Sequence, residues 1–441
     1  MFSKYLLILS LVLCSQRLIA ELPDFPEPKR LEKQKKNAVP TLVIEDDTVK
    51  TKDKKNVGKD LETFSVEVVN RIDRVVSKKG FNLWGEPWTV QGIPLIFPSS
   101  TNGFNLGLHA KLVNIVRQDP HKAEISAQIL ASDKGRYKHF IGLDIPYIFD
   151  EQFRFTGRLA YNRDISLRYY GIGNDTVIDP TQMDSDRYDN TRSGVSGTLS
   201  FVRYFSKKYR MGPILGFKNT DISVPPNNSK LKEDNAEGIT GGKTNYIGLS
   251  LTRDTLDFEP YPSKGTFNEL FVYWYSPWLG SSYNFQRYTY TFRVFVPLHP
   301  KLIFAHRTLL EIVDGKDGGV PFFELGSVGG SDSTLALGGD RFIRGLESNR
   351  IIDKYRMFYG LELRWDPIKL SYASQDFNFG VVPFVDFGRV WGSLHPFYLG
   401  KIHASTGVGF RILWNKRFVL RADWAMTEEN KTVYIELGNS F

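Results

Sequence analysis

The sequence predicts an all-β protein: a closed transmembrane antiparallel β-barrel of about sixteen strands. Three observations lead there. From about Phe104 onward, apolar and polar residues alternate in runs of about 10 to 13 residues. That is longer than an ordinary strand of five or six, and long enough for a tilted strand to cross a bilayer. Past the first twenty residues, no apolar run approaches the roughly 20 residues that a membrane helix needs. Aromatic residues are plentiful, with 32 Phe, 21 Tyr and 8 Trp, as the interfacial girdles of a membrane barrel require.

The elements follow in chain order. Residues 1–20 read as a signal peptide: Lys4 gives a positive start, Tyr5 to Leu13 an apolar run, and Leu18-Ile19-Ala20 ends in a small residue suited to cleavage. The only cysteine, Cys14, falls inside it. Cleavage after Ala20 leaves no thiol for a disulfide, a thiolate metal site or a nucleophile. A lipidated Cys14 is the alternative, disfavoured by the bulky Leu13 before it. Residues 21–60 are rich in Pro, Lys, Glu and Asp. They cannot bury enough apolar surface to order themselves, and form a flexible periplasmic arm.

Residues 61–80 predict one amphipathic helix. Phe64, Val68, Val69, Ile72, Val75 and Val76 recur at helical spacing, with Asp60 placed to cap the start and Gly80 the end. Such a helix packs on the rim of the barrel, plugs its lumen or docks a partner. The barrel domain is expected over 91–441.

Its sixteen runs lie at 104–115, 122–132, 136–147, 153–163, 165–172, 191–206, 208–220, 243–254, 264–275, 284–297, 301–313, 356–366, 378–392, 402–414, 416–426 and 432–441. In the twelfth, Phe358, Gly360, Glu362 and Arg364 share one face, opposite Tyr359, Leu361, Leu363 and Trp365. The apolar face should meet lipid, so Glu362 points inward. Lys and Arg number 57 against 49 Asp and Glu, a net charge of +8. The basic residues are interleaved with aromatics, which points to lumen and loop charge and away from nucleic acid.

Four stretches carry a resemblance: Gly339-Asp340-Arg341-Phe342-Ile343-Arg344-Gly345-Leu346; Phe384-Val385-Asp386-Phe387-Gly388-Arg389-Val390-Trp391; Thr252-Arg253-Asp254 with Pro262-Ser263-Lys264-Gly265; and Thr406-Gly407-Val408-Gly409-Phe410-Arg411 through Phe441. Tyr170-Gly171-Ile172-Gly173-Asn174-Asp175 adds a fifth, looser match. In this order they resemble the BamA-type outer-membrane assembly factors, the bacterial surface-antigen superfamily, over roughly residues 91–441. The resemblance implies an outer-membrane protein of a Gram-negative bacterium, its N-terminus periplasmic, that inserts or translocates other proteins through a lateral seam. Only residues 21 to about 90 precede the barrel, so the chain reads as a member without the periplasmic POTRA domains. The implied partners are outer-membrane lipid, unfolded client proteins and a periplasmic accessory protein, with no nucleic acid.

The resemblance also places a lumen-folded loop at 314–355, between the eleventh and twelfth strands. Gly329, Gly330, Gly338 and Gly339 let such a loop turn tightly. Its motif is Phe342, Ile343, Arg344, Gly345 and Leu346. A loop inside a barrel needs an anchor, and Arg344 offers a rigid donor fork for a carboxylate. The strand motif Phe384, Asp386 and Gly388 faces the lumen by resemblance, so Asp386 is the first expected partner of Arg344. Glu362 is the second and Asp423 the third. Phe441 is expected to act as the C-terminal barrel signal.

No catalytic constellation appears, and no cofactor or metal is implied. There is no G-x-S-x-G elbow. Gly242-Lys243-Thr244 resembles the end of a phosphate loop, but Glu237 stands where its first glycine is needed. The rival to an insertase is a passive barrel, either a pore or a surface-exposed antigen or adhesin. The plug loop and a weak seam between the first and last strands separate the two readings. Gly103, Gly107 and Gly438 are compatible with such a seam.

Overall fold

The computed structural model describes residues 79–441, apart from 100–102, 115, 117–121, 184, 259–260, 316–318, 332–333, 373–374, 395–399 and 415–417. The expected signal peptide, charged arm and nearly all of the 61–80 helix therefore lie outside the described residues.

Eighteen strands make one sheet in which every described pairing is antiparallel. Its first part holds β1 (Lys79–Leu83), β2 (Glu86–Ser99), β3 (Gly103–Asn114), β4 (Glu124–Ser132), β5 (Tyr137–Tyr147), β6 (Phe153–Arg168), β7 (Asp189–Tyr204) and β8 (Tyr209–Ser223). The two-residue β9 (Gly242–Lys243) and the long β10 (Tyr246–Asp254) both pair with β8. Then come β11 (Gly265–Tyr275), β12 (Phe285–His299) and β13 (Leu302–Gly315). A small separate ribbon, β14 (Ser327–Val328) with β15 (Thr334–Leu335), lies in the long connection that follows. The sheet resumes with β16 (Tyr355–Tyr372), β17 (Gln375–Trp391), β18 (His403–Trp414), β19 (Phe418–Met426) and β20 (Lys431–Leu437).

The count corrects the expected sixteen. All but one of the predicted runs match a strand of their own among β3 to β8, β10 to β13 and β16 to β20. The exception, 165–172, begins as the tail of β6. Register slips there between Asp164 and Leu167, so a bulge broke the alternation and made one strand read as two. β1 and β2 were missed, and the sheet starts before 91. Lys79 and Gly80, expected to close a helix, open β1 instead. β2 carries Pro87, Pro94 and Pro98, which demote a segment as a strand wherever full pairing is assumed. That assumption fails here: β1 covers β2 only as far as Val90, so the remainder of β2 has β3 on one side and, among the described residues, no partner strand on the other.

At the other end, β20 pairs with β19. Among the described residues no ladder joins β20 to β1, β2 or β3. Closure into a ring is thus not seen among the described residues. Gly438, at φ 97, turns the chain out of β20.

The faces of the sheet are inverted relative to a protein in water. Leu106, Leu108, Ile129, Leu215, Phe410, Val433 and Ile435 are exposed on the outside. Arg307, Arg364, Arg421, Glu311, Glu362 and Asp386 are buried inside. An exposed apolar belt of this extent fits an apolar medium. Charges are tolerated inside because they pair with one another.

Candidate functional site

The connection between β13 and β16 fills the interior. Its first half makes the helical turn Phe322–Leu325, packed among Tyr273, Tyr275, Phe285 and Val313. Its second half carries the glycine-rich motif. Gly338, Gly339 and Gly345 adopt φ of 112, 85 and 103, and Ile343 an unusual 45. These left-handed turns fold the segment on itself: Gly338 N–H donates to Phe342 O at 3.0 Å and Gly339 N–H to Leu346 O at 2.9 Å. Phe342, Ile343 and Leu346 then bury against Leu309, Phe358 and Val390.

That fold leaves Arg344 pointing at the wall. Its Nε donates to Asp386 Oδ2 at 2.8 Å and its Nη2 to Asp386 Oδ1 at 2.9 Å, while its backbone N–H also reaches Oδ2 at 3.1 Å. Nη1 donates to Glu362 at 2.8 Å and to Asp423 at 3.3 Å. The guanidinium carbon sits 3.5 Å from the centre of the Phe384 ring. Burial alone would lower the Arg344 pKa, but Asp386, then Glu362 and Asp423, more than offset it and hold the group well above its ordinary value. Arg344 thus joins the loop to β16, β17 and β19 at once.

Gly388 of the strand motif has a steric role. A Cβ there would stand 2.5 Å from Ile343 Cδ1, so the glycine is the gap into which the loop seats. Phe441 is buried with Phe295, Ile303 and Ala305, and its carbonyl accepts from Arg364 Nη2 at 2.9 Å.

Several charged residues that sequence reading did not single out complete the cluster. Arg364 binds Glu362 at 2.9 Å, and Arg421 binds Asp423 at 2.9 Å and Asp340 of the loop at 2.5 Å. Arg411 contacts Asp423 and, at 3.7 Å, Glu362. The alternation that turned Glu362 inward also turned Arg364 inward, so a count of interior charges would have found it. Tyr434 of β20 and Ser440 beyond its end join the cluster: Gly345 N–H donates to Tyr434 Oη at 3.1 Å, and Ser440 Oγ donates to Glu362 at 2.5 Å.

A second anchor holds the helical turn. Glu324 accepts from Arg287 Nη2 at 2.8 Å, Lys218 Nζ at 2.9 Å and Thr244 Oγ1 at 3.2 Å. Arg356 donates to the carbonyls of Leu325 and Ser327 at 2.7 and 2.8 Å and pairs with Glu311 at 3.1 Å. Burial would raise the Glu324 carboxyl; Lys218 and Arg287 outweigh it and bring the pKa down to about 2. No periodic signal marks a single acid within a loop, so the sequence hid this anchor. The Tyr170–Asp175 stretch also meets the loop, with Gly173 N–H donating to Ile352 O at 2.9 Å.

Two solved structures are similar in fold. One is BamA from Haemophilus ducreyi lacking POTRA domains 1–3: TM-score 0.52, 13% identity, covering 85% of this chain and 77% of that one. The other is CdiB from Escherichia coli: TM-score 0.53, 12% identity, covering 83% of this chain and 68% of that one. No curated protein matches the sequence. The Omp85 superfamily domain matches residues 124–441, which takes in β4 to β20, the interior loop and every carboxylate around Arg344, and the chain belongs to that superfamily.

Proposed function

We propose that this protein sits in the outer membrane of a Gram-negative bacterium and inserts or translocates other proteins there, using the edges of β20 and β2 as a lateral seam. The observation that carries the reading is the Arg344 anchor. It ties the interior loop to three wall strands, while Tyr434 ties the same loop to the strand that borders the seam. Movement of the loop and opening of the seam are then one event. A client strand adding to a free edge would satisfy its own N–H and C=O groups and bury its apolar face in lipid. The seam needs no nucleotide for that step, and the reading gives the protein no enzymatic activity. An interior filled by its own loop argues against an open pore.

The test is reconstitution in liposomes with a denatured outer-membrane client. The wild type should speed client folding, and a folded Arg344→Ala variant should not. If neither speeds folding while the wild type conducts ions steadily, the protein is a passive barrel. Equal loss of folded barrel and of activity in the variant would leave Arg344 only a structural role.

A further inference from the structure

On the outer wall, strands β4 to β8, with Asn245, Tyr246 at the start of β10 and Leu279, line an open apolar groove of about 740 Å³. Its exposed walls are Ile141, Leu159, Leu199, Leu215 and Phe217. Two glycines on the same face make the trough. A Cβ on Gly197 would stand 2.3 Å from the Phe217 ring, and one on Gly157 would stand 3.2 Å from Leu199 Cδ2. Larger residues at either position would fill the depression.

The groove leads to a basic, aromatic rim. Register places Gly157 opposite Leu199, Phe155 opposite Phe201 and Phe153 opposite Arg203, so Arg203 lies four residues along β7 from the groove wall at Leu199. At about 3.3 Å per residue that is roughly 13 Å, within the length of an acyl chain. Arg203 is exposed, 5.8 Å from the centre of the Phe153 ring and 5.4 Å from that of Phe205. Lys207 and Lys208 are exposed in the adjoining turn, and Arg253 donates to Tyr209 Oη at 3.2 Å beside them. The neighbouring turn contributes exposed Asp150 against these four cations, leaving a positive excess.

We infer that this face holds one anionic glycerophospholipid, its phosphate among Arg203, Lys207 and Lys208 and an acyl chain in the groove beside Leu199 and Phe217. The turn 205–208 is short, whereas the connections at the other end of these strands, 169–188 and 224–245, are long. Outer-membrane barrels keep short turns on the periplasmic side, where the leaflet is phospholipid. Exposed Phe149 and Phe205 sit at that end as interfacial anchors do. The inference rests on the membrane placement and not on insertase activity.

Native mass spectrometry of the full chain, taken from bilayers with equal phosphatidylglycerol and phosphatidylcholine, tests it. The wild type should retain one phosphatidylglycerol, at least about tenfold over phosphatidylcholine. R203Q/K207Q/K208Q should lose that preference, and Leu199→Trp should lose retention of both lipids. Lys369→Gln, a charge removed elsewhere, should change nothing. Heat-modifiable gel mobility checks that each variant is folded. Equal retention of the two lipids by the wild type, or retention at the wild-type level in either groove or rim variant, overturns the proposal. No client is needed, so a failure here is separable from a failure of the insertase reading.

Discussion

Arg344 and Asp386 meet as a two-pronged pair, Nε to Oδ2 at 2.8 Å and Nη2 to Oδ1 at 2.9 Å, with both residues almost wholly buried. Removing the cation leaves Asp386, Glu362 and Asp423 short of a partner, and breaking such a buried pair costs about 3–5 kcal/mol. Arg344→Ala should therefore expose the loop to protease between β13 and β16 before the sheet unfolds. Arg344→Lys should behave much like the alanine variant, because an ammonium cannot make the two-pronged contact. Limited proteolysis beside heat-modifiable mobility checks both. A lysine variant as protected as the wild type would mean that charge alone suffices.

The seat for Ile343 gives a second prediction. Gly388→Ala puts a methyl group 2.5 Å from Ile343 Cδ1, in a site with no room. Overpacking of this kind costs about 1–3 kcal/mol. Ile343→Val removes the clashing methyl and should restore much of the loss in Gly388→Ala. Denaturation midpoints of the two single variants and the double variant form a cycle whose coupling should be favourable. Additive effects would show that the methyl group is accommodated elsewhere.

The anchor also shows how far the sequence could be read. Arg344, Asp386, Glu362 and Asp423 were legible because alternation set the inward face of β16 and the family motifs singled out the loop and β17. The two ends of the sheet were less legible. A strand with three prolines looks like a linker unless it is known to lie at an edge, and the bulge at Asp164–Leu167 mimics a turn. Glu324 was invisible because its partners, Lys218 and Arg287, lie on strands far away in the chain and nothing periodic links them. That no ladder joins the first and last strands among the described residues is something no pattern of polarity records.

Acid should loosen the second anchor. The Glu324 carboxyl is held at about 2, below its ordinary 4.5. A depressed acid stabilises the fold fully above its unfolded value and loses that contribution as pH falls through the folded one. The window is thus from about 4.5 down to about 2, and the contribution is on the order of 3 kcal/mol. Hydrogen exchange at the helical turn Phe322–Leu325 should rise across this window in the wild type. Glu324→Gln should exchange faster at neutral pH and change less on acidification. If the two proteins respond alike, the titration belongs to another group.

Tyr434 tests whether the seam strand and the loop move together. Its hydroxyl accepts from Gly345 N–H at 3.1 Å and donates to Leu346 O at 3.4 Å, so β20 holds the loop within two residues of Arg344. Tyr434→Phe keeps the ring and deletes both bonds, leaving the Gly345 N–H buried without this acceptor. That costs about 1–3 kcal/mol. The change is local, so the sheet should keep its denaturation midpoint to within a few degrees. A cysteine pair placed across the edges of β20 and β2 should then cross-link at a different rate in Tyr434→Phe from that in the parent pair, and Arg344→Ala should shift the rate in the same direction. If Arg344→Ala moves the cross-linking rate and Tyr434→Phe does not, the loop reaches the seam through Glu362 and Ser440, and the tyrosine is only a packing residue of β20.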